Sequence, residues 1–146
     1  MKRIAVVILN WNGLELLKKF IPNTVNNSKE ANIYVIDNFS EDDSVDFLKR
    51  NYPNIKVIEL DNNYGFAEGY NLGLKEIDEE IYCLINSDIK VTENWLEPVI
   101  NKFDNNNVSI AQPIILDYNK EDYFEYAGAA GGFIDKFGYP FCRGRI

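Results

Sequence analysis

Residues 81–88 contain a short apolar run that stops at three consecutive polar residues, Asn86, Ser87 and Asp88. An unbroken apolar run of strand length predicts a strand that is buried on both faces of a parallel sheet. Ligands bind at the carboxyl ends of the strands in open sheets of this kind. Asp88 is therefore a candidate ligand for a metal ion or a member of a phosphate site.

Three earlier apolar runs have the same form, and asparagine or aspartate follows each of them. The predicted strands, with the polar residues that follow them, are 4–9 with 10–12, 33–36 with 37–38, and 57–60 with 61–63. Residues 108–116 predict a fifth strand, which Pro113 places near a sheet edge or a bulge.

Apolar residues recur at helical spacing between these strands. They predict a helix at 14–21 that ends at Pro22, one that carries Val45 and Leu48, one from Phe66 to about Ile77 with Phe66 buried, and one after Thr92. The alternation of strands and helices predicts an α/β domain with a mostly parallel central sheet. Gly65, Gly69 and Gly73 predict a smooth stripe that another backbone or a ligand approaches closely.

Composition narrows the classes of function. The 146 residues predict a single domain, and a net charge of -8 without a basic run argues against a nucleic-acid partner. Histidine is absent from the sequence, which excludes Ser-His-Asp and Cys-His catalysis and histidine-ligated metals. Any metal ion would be a hard cation held by oxygen.

Two further features concern the cellular compartment. Cys83 and Cys142 are too few for a disulfide framework or a zinc site, so we expect free thiols. Neither a membrane span nor a signal peptide is visible in the hydrophobicity pattern. We therefore expect a cytoplasmic protein, and a peripheral position at the inner face of the membrane stays open.

Four polar clusters would meet at one edge of a parallel sheet. Such an edge suits a nucleotide: Trp11 would stack on the base, Asp37 or Asn38 would read the base or ribose, and Asp88 would hold a divalent cation on the pyrophosphate. Each cluster alone is also ordinary turn sequence, Trp11 is equally compatible with a half-buried anchor, and Asp88 with a cap. The acidic pairs 42–43, 79–80 and 121–122 are expected in solvent.

Four motifs occur in order over the first 116 residues: 7–13 (VILNWNG), 35–40 (VIDNFS), 63–67 (NYGFA) with Asn71 and Gly73, and 84–88 (LINSD). Together they resemble the inverting GT-A glycosyltransferases of family 2, and most of all its rhamnosyltransferase-like members. The resemblance implies a GT-A, Rossmann-like, three-layer α/β fold with a mostly parallel central sheet.

The same resemblance implies a nucleotide-diphospho-sugar donor, UDP- or dTDP-linked, and a divalent Mg or Mn ion at the family's Asp-x-Asp position. Here Asn86 replaces the first carboxylate of that motif, so Asp88 would carry most of the metal contact. The implied donor-binding residues are Asn10, Trp11, Asn12, Asp37, Asn38, Asn63, Phe66, Asn71, Asn86 and Ser87.

The implied reaction is one displacement at the anomeric carbon with inversion, in which a general base deprotonates a hydroxyl of a glycan or lipid-linked acceptor in cell-surface polysaccharide synthesis. In such relatives the base lies far beyond the Asp-x-Asp strand, so we expect it beyond Ile146. Residues 1–146 would then be the donor-binding part of a longer enzyme, inactive alone. We expect its aromatic tail, including segment 127–139, to form an acceptor-side loop or to expose Phe133, Phe137 and Phe141 and self-associate.

The sequence disfavours three rival classes of α/β protein. A receiver domain needs an acidic pair after the first strand, and this sequence has none there. Dinucleotide-binding and P-loop proteins need glycine motifs that this sequence lacks. The serious competitor is a non-catalytic nucleotide-sugar-binding or interaction module of the same fold, which the amide at Asn86 favours.

Overall fold

The computed structural model describes residues 3–105, 107–126 and 130–143. The chain forms two compact units, one that ends at Pro98 and one that starts at Val99. The first unit holds a four-stranded parallel sheet in the order β3-β2-β1-β4, which confirms the predicted α/β class. Its strands are β1 (Ile4–Asn10), β2 (Asn32–Asp37), β3 (Lys56–Glu59) and β4 (Ile81–Asn86).

The helices follow the strands in the predicted order. They are α1 (Leu14–Asn27), α2 (Ser44–Asn51), α3 (Gly65–Gly73), which continues into a 3-10 turn (Leu74–Glu76), and α4 (Leu96–Lys102). Side chains alternate between the two faces of each strand. Ala5, Val7, Tyr34 and Ile36 form one buried cluster with Tyr70 of α3.

Glycine lets α3 lie close to the sheet. A Cβ on Gly73 would overlap the side chain of Ile36, and a Cβ on Gly69 would lie 3.1 Å from Leu9 Cδ1. Gly65 begins the helix with a φ of 71°, in the left-handed region that glycine adopts without strain. The predicted glycine stripe therefore serves helix packing at two positions and a turn at the third.

The prediction that α1 ends at Pro22 is wrong, because the helix continues to Asn27. Buried residues lie on both sides of the proline, with Phe20 and Ile21 before it and Thr24 after it. The Thr24 hydroxyl donates to the Phe20 carbonyl at 3.3 Å. Burial of this face offsets the roughly 3 kcal/mol that a proline costs inside a helix.

Strand β4 is parallel, as predicted, but it is not buried on both faces. Tyr82 and Leu84 are 43% and 48% exposed. The reason is the strand order: β4 lies at the edge of the four-stranded sheet and pairs with β1 on one side, among the described residues.

Glu79 also differs from expectation, because it is buried rather than solvated. Its carboxylate accepts hydrogen bonds from the Tyr34 hydroxyl at 2.9 and 3.1 Å and from Asn32 Nδ2 at 2.7 Å. These donors compensate the loss of water around the carboxylate, which lets Glu79 lie inside the fold. Its neighbour Glu80 is exposed, as predicted.

In the second unit, the predicted strand at 108–116 is wrong. Leu116 makes a single antiparallel bridge with Phe124, and Pro113 lacks the N–H that a strand ladder requires. The strands of this unit are β5 (Gly132–Ile134) and β6 (Pro140–Cys142), which pair antiparallel.

The side chains of the second unit bear on two further predictions. Phe133, Phe137 and Phe141 are exposed, as predicted. Residues 127–129 of the predicted acceptor-side segment lie outside the described residues.

The structure bears on two of the features from which the cellular compartment was predicted, the cysteines and the length of the helices. Cys83 and Cys142 are both free thiols, as predicted. Among the described residues, the helices are too short or too polar to cross a bilayer. The cytoplasmic location stays a prediction.

Candidate functional site

Strands β1 and β2 end side by side, with Asn10 directly opposite Asp37. Both side chains are buried, at 0% and 3% exposure. Asn10 Nδ2 donates to Asp37 Oδ1 at 2.9 Å and to Ser40 Oγ at 3.2 Å. Ser40 donates to the same carboxylate through its hydroxyl at 2.7 Å and its backbone N–H at 2.9 Å. These contacts hold the Asp37 carboxylate in one orientation.

Asn38 fastens the loop that leads into α3. Its Nδ2 donates to Asn63 Oδ1 at 2.9 Å and to the Gly65 carbonyl at 3.0 Å. Its Oδ1 accepts from the Tyr64 N–H at 3.0 Å. The side chain is buried and largely satisfied, so its main structural effect is to place Asn63 and the start of α3.

Asn12 joins the loop after β1 to the loop after β2. Its N–H donates to Ser40 Oγ at 2.9 Å, and its Oδ1 accepts from the Glu41 N–H at 2.8 Å. Asn12 and Phe39 have φ angles of 49° and 66°, in the left-handed region. Asparagine is enriched there, whereas a bulky residue such as phenylalanine is rare.

Asp42 connects the starts of two helices. Its carboxylate accepts from the Leu14 N–H and the Ser44 N–H, each at 3.0 Å. Burial acts to raise the pKa of this carboxyl, but the hydrogen bonds from Ser44 and Leu14 outweigh it and hold the pKa below its ordinary value. Asp42 is therefore partly buried rather than fully solvated, which corrects the prediction for this member of its pair.

Above this network lies an open pocket of about 420 Å³ within the first unit. Trp11 and Phe66 line it as exposed aromatic side chains, at 59% and 65% exposure. The prediction that Phe66 is buried in the apolar face of α3 is therefore wrong. The residues that line the pocket are Leu9, Trp11, Leu16, Asn38, Asn63, Gly65, Phe66, Asn86, Ser87 and Asp88.

The structure separates the predicted donor-binding residues into two groups. Six of them line this pocket together with the predicted metal ligand Asp88: Trp11, Asn38, Asn63, Phe66, Asn86 and Ser87. Asn10 and Asp37 lie buried at the strand ends, outside the pocket lining. Asn12 lines a smaller neighbouring pocket of about 280 Å³, and Asn71 is an exposed residue of α3 outside both linings.

Two residues that shape this edge were not among the predicted site residues. Ser40 ties Asn10, Asn12 and Asp37 together, and its position three residues after Asp37 is typical of an aspartate that bonds to its own turn. Tyr70 approaches the ends of β1 and β4 from α3, four residues after Phe66. Its helical spacing from Phe66 places the two rings in contact, but nothing local in the sequence indicates where its hydroxyl goes.

The comparison with protein families agrees with this arrangement. The model of the family described as Glycosyl transferase family 2 matches residues 5–140. The chain belongs to glycosyl transferase family 2. The resemblance drawn from the four motifs is confirmed.

Individual relatives of this family 2 chain are distant. The human "Probable polypeptide N-acetylgalactosaminyltransferase 8" is 22% identical over 96% of this chain and 24% of its own length. The "dTDP-rhamnosyl transferase RfbF" of Shigella flexneri is 26% identical over 83% of this chain and 41% of its own length. The chain spans between 21% and 24% of the length of three transferases that it matches almost throughout.

A solved structure supports the GT-A fold. A mannosyltransferase from Pyrobaculum calidifontis, in complex with GDP-Man and Mn2+, superposes with a TM-score of 0.55 at 20% identity. The match covers 60% of this chain and 28% of that one. The predicted GT-A class of fold is confirmed.

Candidate oxygen ligands for a cation lie at the carboxyl end of β4 in this family 2 chain. Asn86, Ser87 and Asp88 offer an amide, a hydroxyl and a carboxylate at the pocket. Across residues 3–105, 107–126 and 130–143, three or more histidine, cysteine, aspartate or glutamate side chains do not come together. Mg²⁺ in phosphate sites is held by one or two carboxylates together with the phosphates. The residues present fit a cation of that kind, whose remaining ligands would be phosphate oxygens.

Proposed function

We propose that this chain binds a nucleotide-diphospho-sugar at the carboxyl edge of its sheet, and that the whole enzyme transfers the sugar to an acceptor hydroxyl with inversion. The observation that carries the proposal is the open pocket, which combines exposed aromatic rings with amide, hydroxyl and carboxylate groups. Membership of glycosyl transferase family 2 supports the same reaction class.

The pocket residues divide into direct and supporting roles. Trp11 and Phe66 offer exposed ring faces on which a base stacks. Asp37 already accepts three hydrogen bonds from Asn10 and Ser40. We therefore assign Asp37 a positioning role, through the two residues that it holds, rather than direct contact with the base or ribose.

The cation site in this proposal is Asp88, assisted by the oxygens of Asn86 and Ser87. A divalent cation bound there would neutralise charge on the departing pyrophosphate. The mannosyltransferase of the same fold was solved with GDP-Man and Mn2+, which supports a nucleotide-sugar donor and a divalent cation as ligands of this fold. Asp88 is exposed to solvent, and its carboxylate would hold the cation that neutralises the donor phosphates.

The named relatives support a class of sugar donor, and the proposed transfer reaction requires an acceptor with a free hydroxyl. RfbF is named a dTDP-rhamnosyl transferase, which supports a dTDP-linked hexose as donor, and we propose a UDP-linked hexose as the alternative. We propose a glycan or lipid-linked acceptor, in the synthesis of cell-surface polysaccharide. Rhamnose is the first sugar to test.

Turnover needs a second acidic group. Among the residues that line the pocket, Asp88 is the one carboxylate, and a cation ligand is poorly suited to remove a proton as well. We therefore propose that residues 1–146 alone bind donor but do not complete transfer. Incubation with donor and a panel of acceptors should release no glycosylated product, and transfer at rates on the order of 1 per second would contradict this.

Calorimetric titration tests the site. Residues 1–146 are titrated with dTDP-, UDP- and GDP-sugars, with and without Mn²⁺, as wild type, Asp88→Ala and Asp78→Ala. Asp78 is an exposed aspartate before β4 and serves as the matched control. We expect cation-dependent binding that Asp88→Ala abolishes and Asp78→Ala retains.

The other outcomes are equally informative. Unchanged binding by Asp88→Ala would refute the metal assignment. If the wild-type protein binds none of these nucleotides, the non-catalytic interaction module becomes the better description, which the amide at Asn86 already favours.

A further inference from the structure

A tyrosine hydroxyl bridges β1 and β4 where the two strands end. Leu9 pairs with Asn86 in the parallel register, so a regular ladder at this point joins the Leu9 N–H to the Ile85 carbonyl. Tyr70 Oη accepts from the Leu9 N–H at 3.3 Å and donates to the Ile85 carbonyl at 3.0 Å. The hydroxyl therefore contacts both groups that the ladder pairs.

Tyr70 also supports the pocket from below. It is buried on α3, and its ring lies edge-on to Phe66 with the ring centroids 5.1 Å apart. Phe66 lines the pocket. One buried side chain thus contacts α3, β1 and β4, the elements that carry Phe66, Trp11 and Asp88 to the pocket.

The chemistry of the hydroxyl suits a fixed bridge. Burial raises the pKa of Tyr70 to about 12, although the hydrogen bond from Leu9 opposes this. The hydroxyl consequently keeps its proton at neutral pH and donates it to the Ile85 carbonyl throughout the physiological range. Phenylalanine would provide the same packing surface without either hydrogen bond.

We propose that Tyr70 is a positioning residue of the nucleotide-sugar site, which sets the spacing between the ends of β1 and β4. The pocket residues Trp11 and Asn86 follow Leu9 and Ile85 along the chain by two residues and one residue, respectively. A change in spacing there moves the stacking ring relative to the oxygen groups around Asp88. The inference rests on the proposed function, because it assigns Tyr70 a part in that site.

The test compares Tyr70→Phe with Tyr82→Phe in residues 1–146. Tyr82 is the matched control, since its hydroxyl also donates to a backbone carbonyl, that of Ile77, at 3.0 Å. Three quantities are measured: the Kd of UDP, dTDP and GDP with Mn²⁺, the free energy of unfolding in urea, and the exchange rate of the Leu9 amide by NMR.

We expect Tyr70→Phe to raise the Kd of the nucleotide that wild type binds by about tenfold, and Tyr82→Phe to leave it unchanged. The free energy of unfolding should fall more in Tyr70→Phe, whose hydroxyl is buried, than in Tyr82→Phe. The urea titrations should show that both variants are folded under the conditions of the binding measurement, so a loss of folded protein does not explain the difference in Kd. The Leu9 amide should change its exchange rate in Tyr70→Phe alone.

Equal Kd values for wild type and Tyr70→Phe would overturn the positioning role while leaving the proposed function intact. Absence of nucleotide binding by wild type would instead overturn the proposed function. An unchanged Leu9 exchange rate in Tyr70→Phe would overturn the bridge itself, whatever the binding result.

Discussion

The two ends of the same sheet each bury a carboxylate, but they use it differently. At the amino end, Glu79 accepts from Tyr34 and Asn32, and the Tyr34 hydroxyl accepts from Lys56 Nζ at 2.7 Å. At the carboxyl end, Asp37 accepts from Asn10 and Ser40, which are neutral. The outermost group of the amino-end network is thus the Lys56 ammonium, whereas the partners of Asp37 in the carboxyl-end network are neutral side chains at the end of β1 and in the loop that follows β2.

The difference lies in what surrounds each network. Lys56 also covers the Tyr34 ring, with its ammonium 4.8 Å from the ring centroid, and so caps the amino-end network on the solvent side. The carboxyl-end network instead supports the loops that follow β1 and β2, and the residues directly after Asn10 and Asp37, which are Trp11 and Asn38, line the open pocket. A buried, satisfied carboxylate stabilises the fold in both places, and it serves a ligand site where the loops around it stay open.

The largest effect is expected for Glu79→Ala, which leaves the Tyr34 hydroxyl and the Asn32 amide without their acceptor. The free energy of unfolding should fall by about 2–4 kcal/mol in urea titrations. Glu80→Ala, at the exposed neighbour, should change it far less. The nucleotide affinity of the folded Glu79→Ala variant should stay at the wild-type value. A loss of affinity would show that the amino-end network also affects the ligand site.

Asp37→Asn tests the other end. The new amide would direct an N–H group toward the donors of Asn10 or Ser40, so the free energy of unfolding should fall by about 2 kcal/mol. Nucleotide binding should be lost as well, because the loops after β1 and β2 are no longer fixed. Asp46→Asn, at an exposed position of α2, is the control. A destabilised Asp37→Asn protein that still binds nucleotide normally would remove Asp37 from the site.

Asp42→Asn tests the carboxyl end of the sheet through the pH dependence of the free energy of unfolding. Because the pKa of Asp42 lies below its ordinary value in the folded protein, its stabilising contribution is present above the unfolded pKa of about 4 and is lost as the pH falls through the folded pKa. At pH 7 the variant should be less stable by about 1 kcal/mol. Urea titrations from pH 7 to pH 3 should show the gap to wild type closing. A gap that is constant with pH, or one equally present in Asp43→Asn, would contradict this.

The smallest effect is expected for Phe39→Asn, and it has the opposite sign. Phe39 is half exposed and has a φ of 66°, so asparagine should relieve backbone strain at little loss of burial. The free energy of unfolding should rise by about 1 kcal/mol. Phe39→Ala is the control, because alanine removes the ring but keeps the strain. Equal stability of both variants would show that the left-handed backbone is not the cause.

Much of the fold was predictable from local sequence. Apolar runs that end in Asn and Asp predicted the strands that end at Asn10, Asp37 and Asn86, and these strands are parallel. The run at 108–116 shows the limit, because an apolar run forms a strand when a partner ladder is available and its N–H groups are intact. Pro113 removes one of those groups.

What the sequence by itself determined is the set of polar groups at the carboxyl edge and the family to which their motifs belong. Tertiary structure alone decided which groups at this edge are buried in the supporting network and which are exposed to a ligand. Asp37 and Asn10 are buried and bonded to each other, whereas Phe66 is exposed at the pocket. The physical reason is sequence separation. Asn10 and Asp37 are 27 residues apart and Leu9 and Tyr70 are 61 apart, so their hydrogen bonds form after the strands and α3 have packed, and no local pattern encodes them.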